Sequence, residues 1–371
     1  MKQKIISFCK KEVVLVVATI LAIASAFIVP PSAEYLDYID WRVLGILLSL
    51  MVVMAGLQKN GLFDALGEAL LTKTKCVWQL TFVLVFLCFF LSMAITNDVA
   101  LITFVPFAVV ALEKAGLQRL LIPVIVLQTI AANLGSMLTP IGNPQNLYLY
   151  NLSGMSMGEF IMVMLPYTCV SMLMLVISLC FLKGKRESIA AVKQSTNELD
   201  KGKILIYLVL FLLAFLVVLK VLPYEVVLAL VLVVVFFMER KVLKEVDYCL
   251  LLTFISFFVF TGNIGNIPVI KNALQQLVEG REVLIGVLSS QAISNVPAAL
   301  LLSGFTSDYK ALLAGVNIGG LGTLIASMAS LISYKILANK YNEKKGKYFL
   351  WFTVVNIIFL AVLLLASMML N

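Results

Sequence analysis

The sequence contains no histidine and few charged residues. Of its 371 residues, 13% are charged and 62% are hydrophobic. Without histidine the chain lacks the commonest metal ligand and general base, and it has neither an HExxH nor a GxSxG motif. The six cysteines lie in or near apolar segments without CxxC spacing, which favours small packing residues over a disulfide or a metal site. We therefore expect neither an enzyme nor a protein with a bound cofactor.

The hydrophobic content exceeds what a soluble domain of this size can bury, so lipid must form part of the solvent. Many separate apolar segments occur, which is not the pattern of a secreted protein behind one signal peptide. The pattern predicts an all-α polytopic membrane protein. The predicted full-length spans are 13–29, 42–57, 120–150, 159–182, 204–220, 224–238, 247–262, 309–338 and 348–370.

Basic residues are distributed unequally between the loops. If the N-terminus is cytoplasmic, 23 of the 28 lysines and arginines fall on the cytoplasmic side. The positive-inside rule therefore predicts a cytoplasmic N-terminus and an external C-terminus, in what we expect to be a prokaryotic inner membrane. The net charge of +8 then reflects membrane topology, and we expect no nucleic-acid partner. The basic residues left on the opposite side are Arg42, Lys220, Lys271, Arg281 and Lys310.

Two further apolar regions, 77–113 and 282–305, are each interrupted by a polar tip. The tips read Thr-Asn-Asp at 96–98 and Ser-Asn-Val-Pro at 294–297. The arms of the second region span about half a bilayer each at roughly 1.5 Å per residue, so neither can cross alone. We predict re-entrant helical hairpins. For the first region the charge rule also permits two full spans, but its short second arm favours a hairpin.

The segments 120–150 and 309–338 have the opposite property, because they are longer than a bilayer requires. The first contains Thr-Pro-Ile-Gly-Asn-Pro-Gln-Asn at 139–146, and the second contains several glycines with Asn317 and Thr323. Unwound backbone at membrane depth is tolerated only where it is buried in protein or lines a cavity. Both segments are therefore predicted to be discontinuous helices.

These features recur in the same order in both halves of the chain. The tips match at an offset of 198, and Asn133, Gly135 and Thr139 match Asn317, Gly319 and Thr323 at 184. Five crossings separate the two copies, and this odd number predicts an inverted repeat, the architecture of secondary transporters. The predicted organisation is an N-terminal repeat (1–182), a cytoplasmic linker (183–203) and a C-terminal repeat (204–371).

The two tips and the Thr-Pro-Ile-Gly-Asn-Pro-Gln-Asn run resemble those of the ion transporter superfamily over nearly the whole chain. That group includes divalent anion–sodium symporters, citrate permeases, arsenite permeases and NhaD-type sodium–proton antiporters. Symporter tips read Ser-Asn-Thr. Here the first tip has gained a carboxylate, Asp98, and the second has lost its final hydroxyl at Val296. The first tip is more similar to arsenite permeases and the run to symporters; the resemblance also implies a homodimer.

The tips and broken helices could supply amide, hydroxyl and carbonyl oxygens to a sodium ion, and half-helix N-termini favour an anion. Asp98 is the only carboxylate predicted far from a membrane edge, and no lysine or arginine lies at comparable depth, which suggests a proton or sodium partner. The alternative is that these side chains only cap their helices. Possible sodium ligands are Thr96, Asn97, Asp98, Ser294 and Asn295. The remaining candidate substrate- or ion-binding residues are Asn133, Thr139, Gly142, Asn143, Asn317, Gly319 and Thr323.

The leading functional hypothesis is cation-coupled transport of a small anion, such as a di- or tricarboxylate or an oxyanion, by alternating access with Na⁺ or H⁺. One alternative is a sodium–proton antiporter that uses Asp98, and another is arsenite efflux. An ion channel would not need two hairpins that enter from opposite sides. Apart from membrane lipid and the possible second copy, the expected partner is a small-molecule anion.

Overall fold

A computed structural model describes residues 12–72, 74–182, 184, 187 and 199–370 of the chain. These residues form helices joined by turns and short 3₁₀ segments, which confirms the predicted all-α polytopic class. The first-half helices are α1 (Val13–Ala26), α2 (Trp41–Lys59), α3 (Leu62–Leu71), α4 (Val77–Leu91), α5 (Asn97–Lys114), α6 (Leu121–Ser136), α7 (Pro144–Ser153) and α8 (Met157–Cys180). The second-half helices are α9 (Lys201–Val218), α10 (Tyr224–Glu239), α11 (Tyr248–Gly265), α12 (Pro268–Val278), α13 (Glu282–Ile293), α14 (Asn295–Leu302), α15 (Tyr309–Ile318), α16 (Met328–Lys340) and α17 (Lys345–Leu370).

Six helical segments of the described chain are long and apolar enough to cross a membrane. They differ greatly in how much the protein itself covers them. The segment Gln118–Ser136, which includes α6, is 89% buried, whereas Asn342–Leu370, which includes α17, is only 22% buried. The first is therefore a central helix and the second presents most of its apolar surface outward, as a peripheral membrane helix does.

The helices pack in two groups. Helices α1, α2, α9, α10 and α11 pack against one another, and α4 to α8 pack with α13 to α17. The groups meet where α11 contacts α14 and where α2 contacts α7. Within the second group, α5 packs on α16 and α14 packs on α7, so the arm that follows each tip contacts a helix of the other half. This exchange of neighbours places both tips at the centre of one helical group.

Both long segments predicted to be discontinuous are broken. The segment 120–150 contains α6, a non-helical turn at 137–143 and α7. The segment 309–338 contains α15, a turn at 319–327 and α16. Asn143 caps α7 by accepting the backbone N–H of Asn146 at 3.1 Å, and Pro144 occupies the first helical position, where its missing N–H costs nothing.

The tips lie slightly earlier in the chain than predicted. The first break is 92–96, so Asn97 and Asp98 belong to the first turn of α5. The second break is the single residue Ser294, and Pro297 lies inside the first turn of α14. A proline is tolerated there because first-turn N–H groups have no intrahelical acceptor. The arms of each tip pack against one another, α4 on α5 and α13 on α14.

Some predictions concern residues that the structure does not describe. Most of the predicted linker 183–203 and the basic residues before Glu12 lie outside the described residues. The first predicted span, 13–29, forms a helix that ends at Ala26, just before Pro30. The inverted orientation of the two repeats and the re-entry of each hairpin on one membrane side remain predictions.

Candidate functional site

The two tips share an uncommon backbone conformation. Thr96 has φ 43° and Ser294 has φ 76°, and each residue immediately precedes the first residue of a helix. A left-handed conformation at a residue with a Cβ costs about 1–2 kcal/mol, so the surrounding packing must enforce it. The chain therefore has the same strained corner before α5 and before α14.

Each tip is hydrogen-bonded to the end of the broken turn in its own half. The backbone N–H of Asn97 donates to the carbonyl of Gly142 at 3.0 Å. The N–H of Asn295 donates to the carbonyl of Ala326 at 2.9 Å. Gly142 and Ala326 are separated by the same offset of 184 that relates Asn133 to Asn317. The contact between tip and broken helix is thus repeated in the two halves.

In each half, a threonine hydroxyl of the broken turn donates a hydrogen bond to the hairpin that precedes it. Thr139 donates to the carbonyl of Met93, and Thr323 donates to the carbonyl of Gln291 at 3.3 Å. Gln291 also bonds the second turn directly, because its Nε2 donates to the carbonyl of Leu321 at 2.9 Å. Thr139 and Thr323 therefore hold the unwound backbone in place, and Thr323 itself is exposed.

Asn133, on α6, is bonded to two serines of the second half. The hydroxyl of Ser327 donates to Asn133 Oδ1 at 3.0 Å, and Asn133 Nδ2 donates to Ser330 Oγ at 3.4 Å. All three side chains are buried. Asn97 joins the same group, since its Nδ2 donates to Asn133 Oδ1 at 3.0 Å. One amide thus connects the first tip, the first broken helix and the start of α16.

Asn317, on α15, makes the corresponding contacts to the first half. Asn143 Nδ2 donates to Asn317 Oδ1 at 3.3 Å, and Asn317 Nδ2 donates to Asn146 Oδ1 at 2.7 Å. Asn143 also donates to Ser136 Oγ at 3.0 Å. Offsets of 184 carry Asn143 to Ser327 and Asn146 to Ser330. The four bonds between the halves therefore form two matched pairs, which we call the central network (Asn133, Asn143, Asn146, Asn317, Ser327 and Ser330).

The two halves differ at their tips. Asn97 bonds Asn133, but no side-chain donation from Asn295 Nδ2 occurs within the described residues, and a Cβ on Gly320 would lie 3.0 Å from that nitrogen. Asn295 Oδ1 accepts the N–H of Val296 at 3.0 Å. Ser294 Oγ donates to the carbonyl of Ala326 at 3.4 Å. The second tip is therefore bound mainly through backbone groups.

Asp98 is partly buried on the first turn of α5. Its backbone N–H donates to Asn97 Oδ1 at 2.9 Å, but its carboxylate makes no hydrogen bond or ion pair with any described residue. The positive end of the α5 dipole offsets part of the cost of a carboxylate here, typically 0.3–1 kcal/mol. That is small against the several kcal/mol needed to desolvate an ion.

Two positions of the broken turns need glycine because neighbouring atoms lie too close for a Cβ. A Cβ on Gly142 would lie 2.0 Å from the carbonyl oxygen of Ser136, and a Cβ on Gly319 would lie 2.7 Å from Ser290 Oγ. The first neighbour is backbone and the second is a short buried side chain, so neither can yield easily. Both predicted site glycines thus allow the broken helices to pack tightly against their surroundings.

The two broken turns also differ in exposure. Ile141 of the first turn is only 6% exposed, whereas Ile325, its match in the second repeat, is 54% exposed. The first turn is therefore enclosed by protein and the second reaches the protein surface.

The structure brings together all twelve predicted site residues. Sequence reasoning did not assign Ser136, Asn146, Gln291, Ser327 or Ser330 to the site. The repeat offset applied to Asn143 and Asn146 would have found Ser327, which precedes α16, and Ser330 on α16. The predicted residues that lie in or directly against the network, tips and turns are Thr96, Asn97, Asp98, Asn133, Thr139, Gly142, Asn143, Ser294, Asn295, Asn317, Gly319 and Thr323.

The site offers many oxygens and amide groups but no fixed positive charge. Within the described part of the chain, no lysine or arginine bonds the central network. Amide, hydroxyl and carbonyl oxygens are hard ligands of the type that bind Na⁺, whereas a multiply charged anion would need compensation from helix N-termini or a co-bound cation. The groups present are suited to binding and release.

Apolar spanning helices around a buried polar centre define an integral membrane transporter rather than a soluble receptor. Comparison with known proteins identifies the family. The chain belongs to the citrate transporter family, whose model matches residues 5–308. This confirms the resemblance to the ion transporter superfamily.

Several relatives share most of their length with this chain. It is 33% identical over 331 residues to an uncharacterized transporter of Methanocaldococcus jannaschii, covering 89% of this chain and 90% of that protein. It is 32% identical over 341 residues to the inner membrane protein YbiR of Escherichia coli, covering 88% and 89%. A shorter match, 31% over 128 residues, joins 34% of this chain to 26% of a silicon efflux transporter of Oryza sativa.

Proposed function

We propose that the protein is a secondary active transporter that moves a small oxygen-rich anion by alternating access, coupled to Na⁺ or H⁺. The observation that carries this proposal is the central network, in which each half bonds the broken helix of the other half. A site shared by two repeats can be exposed to either membrane side when one half moves relative to the other. A channel has no need for such paired bonds.

The coupling cation is assigned to the first tip. Asp98 carries the only carboxylate among the tip residues, and Asn97 and Thr96 offer an amide and a hydroxyl beside it. Sodium would be held by these oxygens, or a proton would neutralise the carboxylate directly. The substrate is assigned to the second tip and the neighbouring half-helix N-termini, where uncharged donors predominate.

Efflux of a neutral oxyacid is the second candidate function. It is favoured by the absence of a lysine or arginine from the central network, because a neutral ligand needs no charge compensation. One relative supports this class by name, the silicon efflux transporter of Oryza sativa. A sodium–proton antiporter that uses Asp98 alone is the third alternative.

We also propose that the protein lies in a prokaryotic inner membrane with a cytoplasmic N-terminus, because of the distribution of its basic loops. The relative from Escherichia coli is itself named an inner membrane protein. A homodimer is proposed from the family resemblance alone.

Transport by the purified protein in proteoliposomes tests the proposal. Uptake of citrate, succinate, sulfate, arsenite and orthosilicic acid is measured under imposed sodium or proton gradients. We expect uptake of one class, driven by one gradient. Sodium–proton exchange without any added substrate would replace the symport hypothesis with the antiporter. Solute flux that reaches equilibrium without accumulation under either gradient would indicate a channel.

A further inference from the structure

Gln145 has a buried side-chain amide without hydrogen-bond partners. It lies on the first turn of α7, it is 1% exposed, and neither its Nε2 nor its Oε1 bonds another protein group. No other buried side-chain amide in the described part of the chain has both polar atoms unpartnered. Leaving one such polar atom unsatisfied costs about 1–3 kcal/mol. An amide with two unsatisfied atoms therefore destabilises the fold more than an apolar side chain that only packs.

The residues beside Gln145 belong to the central network. Asn143 precedes it by two positions and bonds Asn317, and Asn146 follows it directly and bonds the same amide. Helix α7, which carries Gln145, packs on α14 and α15 of the second half. The unpartnered amide therefore lies within one helical turn of the contact between the halves.

The residue that matches Gln145 in the second repeat is not an amide. An offset of 184 relates Gln145 to Ala329 on α16, and an offset of 198 relates Asp98 on α5 to Val296 on α14. Helix α5 packs on α16, and α14 packs on α7. The first pair of helices thus carries a carboxylate on the hairpin arm and an alanine on the broken helix. In the second pair the hairpin residue is apolar and the broken helix carries the amide.

We propose that Gln145 is a substrate-binding residue whose amide orients the ligand at the second pair of helices, while Asp98 serves the cation at the first. The ligand class is a small oxyacid or hydroxyacid, because its oxygens can accept from Nε2 and its hydroxyl can donate to Oε1. This assignment rests on the proposed transport function and adds to it a specificity residue. A buried water that satisfied the amide would give Gln145 a structural role instead.

Three variants separate these roles in proteoliposomes. Gln145→Leu removes both polar atoms at similar volume, and Gln145→Glu keeps the shape but replaces the donor. Gln128→Leu is the matched control, since Gln128 is also fully buried but its Nε2 donates to the carbonyls of Leu84 and Phe104. The probe is whichever of citrate, succinate, sulfate, arsenite and orthosilicic acid the wild-type protein carries.

We expect Gln145→Leu to raise KM for that probe about tenfold, the equivalent of losing about 1.4 kcal/mol of binding. The cation concentration for half-maximal uptake should stay within twofold, and the melting temperature should not fall, because no protein hydrogen bond is lost. Gln145→Glu should also raise KM by tenfold or more. Gln128→Leu should show the reverse signature, with a lower melting temperature and an unchanged KM.

An unchanged KM in Gln145→Leu, with or without a lower melting temperature, would overturn this inference and leave the proposed function intact. A tenfold change in cation dependence would also overturn it, because Gln145 would then belong to the cation site. If the wild-type protein carried none of the probes under either gradient, the proposed function would fail, and this inference with it.

Discussion

The central network makes a quantitative prediction for Asn317→Ala. The substitution removes the donation from Asn317 Nδ2 to Asn146 Oδ1 and the acceptance from Asn143 Nδ2. Asn143 keeps Ser136 as an acceptor, but Asn146 Oδ1 loses its only protein donor among the described residues. The substitution also removes the donation from Asn317 Nδ2 to the carbonyl of Leu313 at 2.8 Å within α15. Three lost hydrogen bonds at about 1 kcal/mol each and one orphaned buried oxygen give a destabilisation of about 4 kcal/mol.

The assay is thermal unfolding of the purified protein in detergent. For 371 residues the entropy of unfolding is on the order of 0.8 kcal/mol per degree, so the melting temperature should fall by about 5 °C. Asn133→Ala, the repeat mate, should produce a similar fall. Asn356→Ala is the matched control, because Asn356 is equally buried but donates only to Phe352 within its own helix.

A double-mutant cycle tests whether the bond across the halves is responsible. Asn146→Ala combined with Asn317→Ala should cost about 1 kcal/mol less than the sum of the single changes, since both remove the same bond. If Asn317→Ala melted within about 1 °C of Asn356→Ala, and the pair were additive, the claim that these bonds join the halves would be refuted.

Three further predictions concern the coupling residue, the close backbone approach and a peripheral ion pair. Asp98→Asn should abolish the dependence of uptake on the driving cation, while exchange of substrate across the membrane continues. The control Asp64→Asn, on helix α3, should keep the wild-type dependence. Retained coupling in Asp98→Asn would contradict the cation assignment. Gly319→Ala should lower transport at least tenfold or prevent folding, because its Cβ would lie 2.7 Å from Ser290 Oγ and 2.8 Å from Ser290 Cβ. Partial recovery of uptake in the double variant with Ser290→Gly would locate the clash. Glu113→Gln should shift the melting temperature by about 1 °C or less, since its ion pair with Lys340 is partly exposed and a glutamine oxygen can still accept the hydroxyl of Tyr341. A shift above 3 °C would mean that the ion pair is structural.

Sequence reasoning located the breaks in the fold because backbone polar groups and prolines cannot face lipid. The runs around Thr139 and Gly319 were placed correctly for this reason. It misplaced the tips by a few residues, since the first turn of a helix tolerates asparagine, aspartate and proline as readily as a loop does. The chain therefore resumes its helix at Asn97 and Asn295, earlier than a count of polar residues suggests.

The pairing of the central network could be predicted only in part. The offset of 184 relates Asn133 to Asn317, but it does not say that each amide bonds the opposite half. That contact depends on the exchange in which α5 packs on α16 and α14 packs on α7. Packing between distant helices is set by side-chain shape, and no local pattern encodes it. The sequence places Ser327 only in the second broken stretch, without assigning it to the site. Ser330 lies in an apolar helix, where serine commonly bonds its own backbone, and it was not predicted as a site residue.

The unequal composition of the matched bonds bears on the resting state of the transporter. If the repeats are inverted and were identical, the inward-facing and outward-facing forms would be mirror images in energy, and each would hold half of the molecules. Here two amides, Asn143 and Asn146, bond Asn317, whereas two hydroxyls, Ser327 and Ser330, bond Asn133. Only the first tip adds a further bond, from Asn97. A difference of one hydrogen bond, about 1 kcal/mol, populates one form about fivefold over the other. Without substrate, the binding site should therefore face mainly one side of the membrane, and Ser327→Asn would shift that balance.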